Sequence, residues 1–159
     1  MRRITEVLLA VFVVVVPTNQ AQASDWRSQT SDWRLVGEGV DQSTVEIDLD
    51  SIKQQDGFVT AWVRRSYNSA QTDLGRHPYR STMSLWAYDC KADRSQLLQS
   101  MAFEGPAGRG SAVASENRYL SKDAWNSVQP DTVDEAVLRF ACSHAPGKAH
   151  RQPAGTPKG

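Results

Sequence analysis

The sequence predicts an α+β fold: a single antiparallel sheet of about six strands, with a C-terminal helix tied to it by a disulfide. Three observations predict it. Between Trp33 and Tyr119, apolar and polar residues trade places with a period of two, in runs separated by short polar turns. One late segment, Val133 to Cys142, switches to helical spacing. Two cysteines, Cys90 and Cys142, stand behind a stretch with the make-up of an export signal.

The strands come first. Thr44-Val45-Glu46-Ile47-Asp48-Leu49 alternates strictly and reads as a half-buried strand. Phe58 to Tyr67 is rich in β-branched and aromatic residues, and Gln55-Asp56-Gly57 before it is a turn signal, so the two runs are expected to form a hairpin. Tyr79 to Cys90 is a third long run, with Met83, Leu85, Trp86 and Tyr88. Gln96 to Glu104 is a fourth, joined to the third through Lys91-Ala92-Asp93-Arg94. Ser111 to Tyr119 is a weaker fifth, and Trp33 to Val36 leads the set. Short connections favour antiparallel neighbours, since parallel strands need long crossovers.

The helix follows Pro130. Thr132 and Glu135 have capping-box spacing, and Asp131 and Asp134 place negative charge at the positive end of the dipole. Val133, Ala136, Val137, Phe140 and Ala141 make one buried face. Cys142 falls in its last turn and Cys90 at the end of the third long strand, so a bond between them pins helix to sheet. The alternatives are two free thiols or a metal site. Two cysteines so far apart, without a pair of histidines nearby, make a poor zinc site, and an oxidising compartment favours the disulfide.

That compartment is read from the start of the chain. Arg2 and Arg3 precede an unbroken apolar run from Val7 to Val16, and Ala21-Gln22-Ala23 is a small-x-small site. Residues 1–23 are therefore expected to be a signal peptide cleaved between Ala23 and Ser24. A run of about ten residues falls short of the roughly twenty that span a bilayer, so no transmembrane segment is expected after its removal. No cysteine adjoins the cleavage point to carry a lipid, and the mature protein is expected to be soluble. The periplasm is the first expected location, with the cell surface or the medium as alternatives.

The mature chain is expected to divide into a flexible start (24–30), one domain (31–144) and a disordered tail (145–159). The tail is rich in Pro and Gly and has no large apolar side chain to offset the entropy of ordering it. From residue 31 to 144, 16 acidic residues stand against 12 basic ones, a net charge of −4, whereas the tail carries only bases. A mildly acidic domain argues against nucleic acid as a partner.

The landmarks in order are Trp33, Ile47-Asp48-Leu49-Asp50-Ser51-Ile52, Gly57, Val59-Thr60-Ala61-Trp62, Arg80-Ser81, Asp89-Cys90, Arg94, Trp125, Pro130 and Cys142. Over most of Asp32 to Ser143 this pattern resembles the surface-adhesin protein E family of Gram-negative bacteria. The resemblance implies one antiparallel sheet with a disulfide-tied C-terminal helix. It also implies a non-catalytic, adhesin-like envelope module that binds a protein of the envelope or host matrix. The alternative role is a periplasmic inhibitor or accessory factor of the kind that blocks lysozyme.

Several constellations invite a sharper chemistry. Gly105-Pro106-Ala107-Gly108-Arg109-Gly110-Ser111 looks like a phosphate-cradling loop but lacks the Gly-Lys-Ser/Thr ending. His77, His144 and His150 lack the i, i+4 spacing of a metal pair. Asp48 and Asp50 alternate on one strand and read as its solvated face, and Ser81 and Ser84 lack a nucleophile elbow. No catalytic, metal or cofactor-binding residue is assigned, and no cofactor is expected. Trp33, Trp62, Trp86 and Trp125 are candidates for a binding surface, with at least two of them expected in the core. Arg64, Arg65 and Arg80 lie on long strands and are the candidate partner-binding residues, for an acidic partner or a sulfated polysaccharide; ordinary cross-strand pairing is the competing role.

Overall fold

A computed structural model of the chain describes residues 31–74 and 77–147. The expected signal peptide with its Ala23–Ser24 cleavage point, the stretch 24–30, His150 and the tail beyond residue 147 lie outside the described residues.

The elements in order are β1 (Trp33–Glu38), β2 (Thr44–Asp48), a 3-10 turn (Leu49–Ser51), β3 (Lys53–Gln55), β4 (Phe58–Gln71), β5 (Tyr79–Asp89), β6 (Arg94–Phe103), a second 3-10 turn (Pro106–Gly108), β7 (Ala112–Asn117), β8 (Asn126–Ser127) and α1 (Val133–His144). All pairings are antiparallel, in the order β1-β2-β4-β5-β6-β7, with β3 beside β4 and β8 beside β6. The six strands of the main path are the six that the alternation predicts.

The β2–β4 connection differs from the simple hairpin expected. The two strands do pair, from Thr44 opposite Ser66 to Ile47 opposite Val63. The turn at Asp56-Gly57, however, closes the short β3–β4 hairpin, with Gln55 opposite Phe58. Both turn residues have positive φ, +43° and +91°, as a tight two-residue hairpin turn requires. Between β2 and β3 the chain bends. The Asp48 carboxylate accepts the Asp50 N–H at 3.2 Å, and Ser51 Oγ donates to the Asp48 carbonyl at 2.7 Å while accepting the Trp62 N–H at 2.8 Å. Side chains that offer the backbone local partners interrupt a strand in this way. The bent arm β2–β3 then follows β4 past the interruption.

The helix covers one face of the sheet. Val45, Ile47, Val59, Ala61, Val63 and Tyr88 form the sheet side of the core, and Val137, Leu138, Ala141 and Cys142 the helix side. Burying a side chain such as Ile47 or Leu138 contributes about 2–3 kcal/mol. Thr132 caps the helix by accepting the Glu135 N–H at 3.2 Å, and the Glu135 carboxylate reaches back to the Asp131 N–H at 2.8 Å. That second bond lands one residue before the cap, a variant of the capping box.

Cys90, the residue after β5, is bonded to Cys142 in the last turn of α1, with their Cα atoms 5.8 Å apart. Sheet and helix are tethered as the sequence predicts. Ala145, the residue after the helix, is also buried in the core.

Candidate partner-binding surfaces

Strand alternation decides what each face of the sheet offers. Val59, Ala61 and Val63 point to the helix, so Trp62 and Arg64 point away from it. On this uncovered face Trp62 stands opposite Leu85, and the row Arg64–Met83–Met101 runs across three strands. All five are half-buried, and among the described residues no helix lies over them. Arg64 is held in place. It donates twice to the Glu46 carboxylate, at 2.8 and 2.9 Å, and its guanidinium lies 4.4 Å from the Trp33 ring centroid.

The loop after β6 folds over one end of this face. Ser81 Oγ donates to the Gly105 carbonyl at 2.6 Å and accepts the Gly108 N–H at 2.9 Å, while Ser66 Oγ accepts the Ala107 N–H at 3.1 Å. The N–H groups of Gly105 and Arg109 bond carbonyls within the loop. The loop therefore directs its N–H groups inward, which is the wrong arrangement for a phosphate cradle. Ser81 is fully buried as the anchor of that loop.

On the other face, α1 covers the sheet only in part. A groove of about 220 Å³ opens beside the start of the helix, lined among others by Arg65, Tyr67, Trp86, Tyr88 and Asp134. Arg65 donates to Asp134 at 3.2 Å and to Ser43 Oγ at 3.4 Å. Ser43 in turn donates to the Asp41 carboxylate at 2.6 Å, and this bond holds that carboxyl below its usual pKa. Tyr88 is buried, which pushes its phenol well above the usual range, and the Asp134 charge adds to the effect. Cross-strand pairs carry the same face onward, from Trp86 to Leu97 and from Ser84 to Ser100, whose hydroxyls meet at 2.9 Å.

The three candidate arginines thus occupy separate places. Arg64 sits on the uncovered face and Arg65 in the groove. Arg80 donates to the carbonyls of Tyr67 and Asn68, at 3.4 and 2.9 Å, where the β4–β5 register shifts. Asp48 is buried as the cap of its 3-10 turn, and burial raises its pKa, while Asp50 is exposed. His77 is exposed, and His144 stacks on Phe140 with Nδ1 2.8 Å from that residue's carbonyl. Among the described residues no group of three or more His, Cys, Asp or Glu side chains is placed to hold a metal. The expectation of two core tryptophans is corrected: all four named tryptophans are half-buried, and of these only Trp86 packs against the main core. The core is filled instead mainly by Val, Ile, Leu and Ala side chains and by Tyr88. Met83, Leu85, Tyr88 and Asp134 read from the sequence as strand and helix-start residues and not as members of a binding surface; the period-two parity of their strand is the signal that places the first three on their faces.

A family model described as Surface-adhesin protein E matches residues 33–143. A structure of Haemophilus influenzae protein E is similar with a TM-score of 0.50 at 15% sequence identity, covering 70% of this chain and 83% of that one. The selenomethionine form of the same protein is similar with a TM-score of 0.51 at 15% identity, covering 70% and 85%. At this identity the likeness speaks for the fold. No curated protein matches the chain.

Proposed function

Because this chain belongs to the surface-adhesin protein E family, whose model spans residues 33–143, we propose that it is an exported, non-catalytic binding module of the cell envelope that docks a protein of the envelope or host matrix. The observation that carries this reading is the uncovered sheet face. Trp33, Trp62, Arg64, Met83, Leu85 and Met101 share it, and Leu35 beside them is 62% exposed. Tryptophan, methionine and arginine are the residues enriched in the cores of protein interfaces. A face of half-exposed large apolar side chains has little other use in a small domain. Arg64 arrives already ordered by Glu46 and Trp33, so little side-chain entropy is lost on binding.

Export by a signal peptide over residues 1–23, with Ser24 as the mature N-terminus, belongs to the same proposal, as does a domain over 31–144. N-terminal sequencing of the secreted protein tests the cleavage point. Proteolysis of intact cells tests display: cutting without permeabilisation supports the surface, and protection until the outer membrane is opened supports the periplasm.

Binding is tested with the purified mature protein on immobilised matrix proteins, comparing Trp62→Ala with the parent. A hot-spot tryptophan lost at the centre of an interface lowers affinity by tenfold or more, about 1.4–4 kcal/mol. Unchanged affinity of the variant for a bound matrix protein overturns the assignment of this face. Inhibition of lysozyme by the purified protein, without matrix binding, supports the inhibitor role instead.

A further inference from the structure

We propose that the groove between α1 and the sheet is a binding site for a neutral sugar ring, separate from the uncovered face. Its lining is mixed. Val45, Val63, Val137 and Trp86 supply apolar surface, and Thr82, Ser84, Ser95 and the tyrosines 67 and 88 supply hydroxyls. Small-ligand sites combine an apolar lining with a few placed polar groups in this way.

Two observations narrow the ligand. Tyr88 is only 4% exposed, yet its hydroxyl has no hydrogen-bond partner among the described residues. Among the described residues, the side-chain atoms sealed off without a partner are Arg80 Nε and Arg94 Nε; the Tyr88 hydroxyl is instead open to the groove and free to bond a ligand there. The phenol stays protonated, so it can donate as well as accept.

The second observation is the ion pair at the mouth. Arg65 and Asp134 lie 3.2 Å apart, and both line the groove. An anionic ligand drawn to Arg65 meets Asp134, with the Asp41 carboxylate behind Ser43 as a further repulsion. A cationic ligand drawn to Asp134 meets Arg65. A neutral polyol satisfies both, because adjacent hydroxyls accept from the guanidinium and donate to the carboxylate. Its apolar ring face has the Trp86 side chain to rest on.

The test uses the mature domain and five named probes, followed by saturation-transfer NMR and tryptophan fluorescence. Glucose, galactose and N-acetylglucosamine are the neutral set; glucosamine and glucuronic acid are the charged comparators. Saturable binding of at least one neutral sugar is expected at millimolar concentration or below, with both charged sugars at least tenfold weaker. Tyr88→Phe and Thr82→Val each remove one hydroxyl with little change of shape, and each is expected to weaken binding several-fold. Their melting temperatures should match or exceed the parent's, since neither hydroxyl has an internal partner to lose. Trp62→Ala should leave sugar binding untouched, which separates this site from the face proposed for protein. No saturable binding by any neutral sugar, tighter binding of a charged one, or full binding by both hydroxyl variants overturns the inference.

Discussion

Arg64 and Glu46 face each other across the β2–β4 pair and bond twice, Nε to Oε2 at 2.8 Å and Nη2 to Oε1 at 2.9 Å. Their side chains are 15% and 22% exposed, so the pair is screened less than a surface ion pair. Arg64→Ala should destabilise the domain by about 2 kcal/mol, part of it from leaving Glu46 unpaired. A double-mutant cycle with Glu46→Ala, followed by urea unfolding, should return a coupling of about 1–2 kcal/mol. Arg64→Lys should recover less than half of the loss, because an ammonium cannot form the fork or stack on Trp33. Additive single variants would show that the pair is decorative.

Cys142→Ser opens the covalent ring, whose ends are 52 residues apart in sequence. The chain-entropy relation gives a loss of about 4 kcal/mol, or roughly 15 °C in melting temperature for a domain of this size. Under reducing conditions, parent and variant should melt nearly together. Equal losses in both conditions would mean that the sulfur acts through packing.

Acid should act in opposite directions at two aspartates. Asp89 is held below its ordinary pKa of 3.8, chiefly by the Arg94 side chain, which donates to it at 2.7 Å. A carboxyl depressed in the folded state contributes stability above its unfolded value, and that contribution is lost as pH falls through the folded value. The advantage of the parent over Asp89→Asn should therefore hold above about pH 4 and shrink below it. Asp48 is the reverse: burial raises its pKa, so its charged form costs stability at neutral pH. Asp48→Asn keeps an oxygen to accept the Asp50 N–H, and its advantage over the parent should be largest near neutrality and vanish below pH 3.8. Urea unfolding at a series of pH values reads both; parallel profiles for the parent and either variant would contradict the assigned cause.

Two glycines separate backbone strain from collision. Gly57 and Gly108 both have positive φ, +91° and +73°. A Cβ on Gly57 meets nothing within 4 Å, whereas one on Gly108 would sit 2.7 Å from Met83 Sδ. Gly57→Ala should cost about 1 kcal/mol from the left-handed backbone alone. Gly108→Ala should cost clearly more, with loosening of the loop over Ser66 and Ser81 visible as faster amide exchange at Ala107 and Gly108. Equal costs would show that Met83 gives way freely.

The features legible in advance were those written locally. Alternation located the six main strands, and Thr132 with Glu135 located the helix start. The two cysteines told how the layers are joined. What escaped depends on contacts distant in sequence. β8 is two residues long and exists because Arg94 and Ser95 pair with it. The loop at 105–110 is shaped by Ser66 and Ser81, far back along the chain. The separation of Arg64 from Arg65 was available, since neighbours on a strand must face opposite ways. The groove was not, because it depends on how far α1 reaches across the sheet.

The disulfide has a mechanical consequence. The covalent ring from Cys90 to Cys142 encloses β6, β7, β8 and nearly all of α1, while β1 to β5 lie outside it. A domain stretched from its two ends can unravel through the first half, but the ring cannot lengthen. At about 3.5 Å per residue the bond withholds roughly 180 Å of extension. For the binding module proposed above, that sets a hard stop on how far a pull between its ends can draw the chain out.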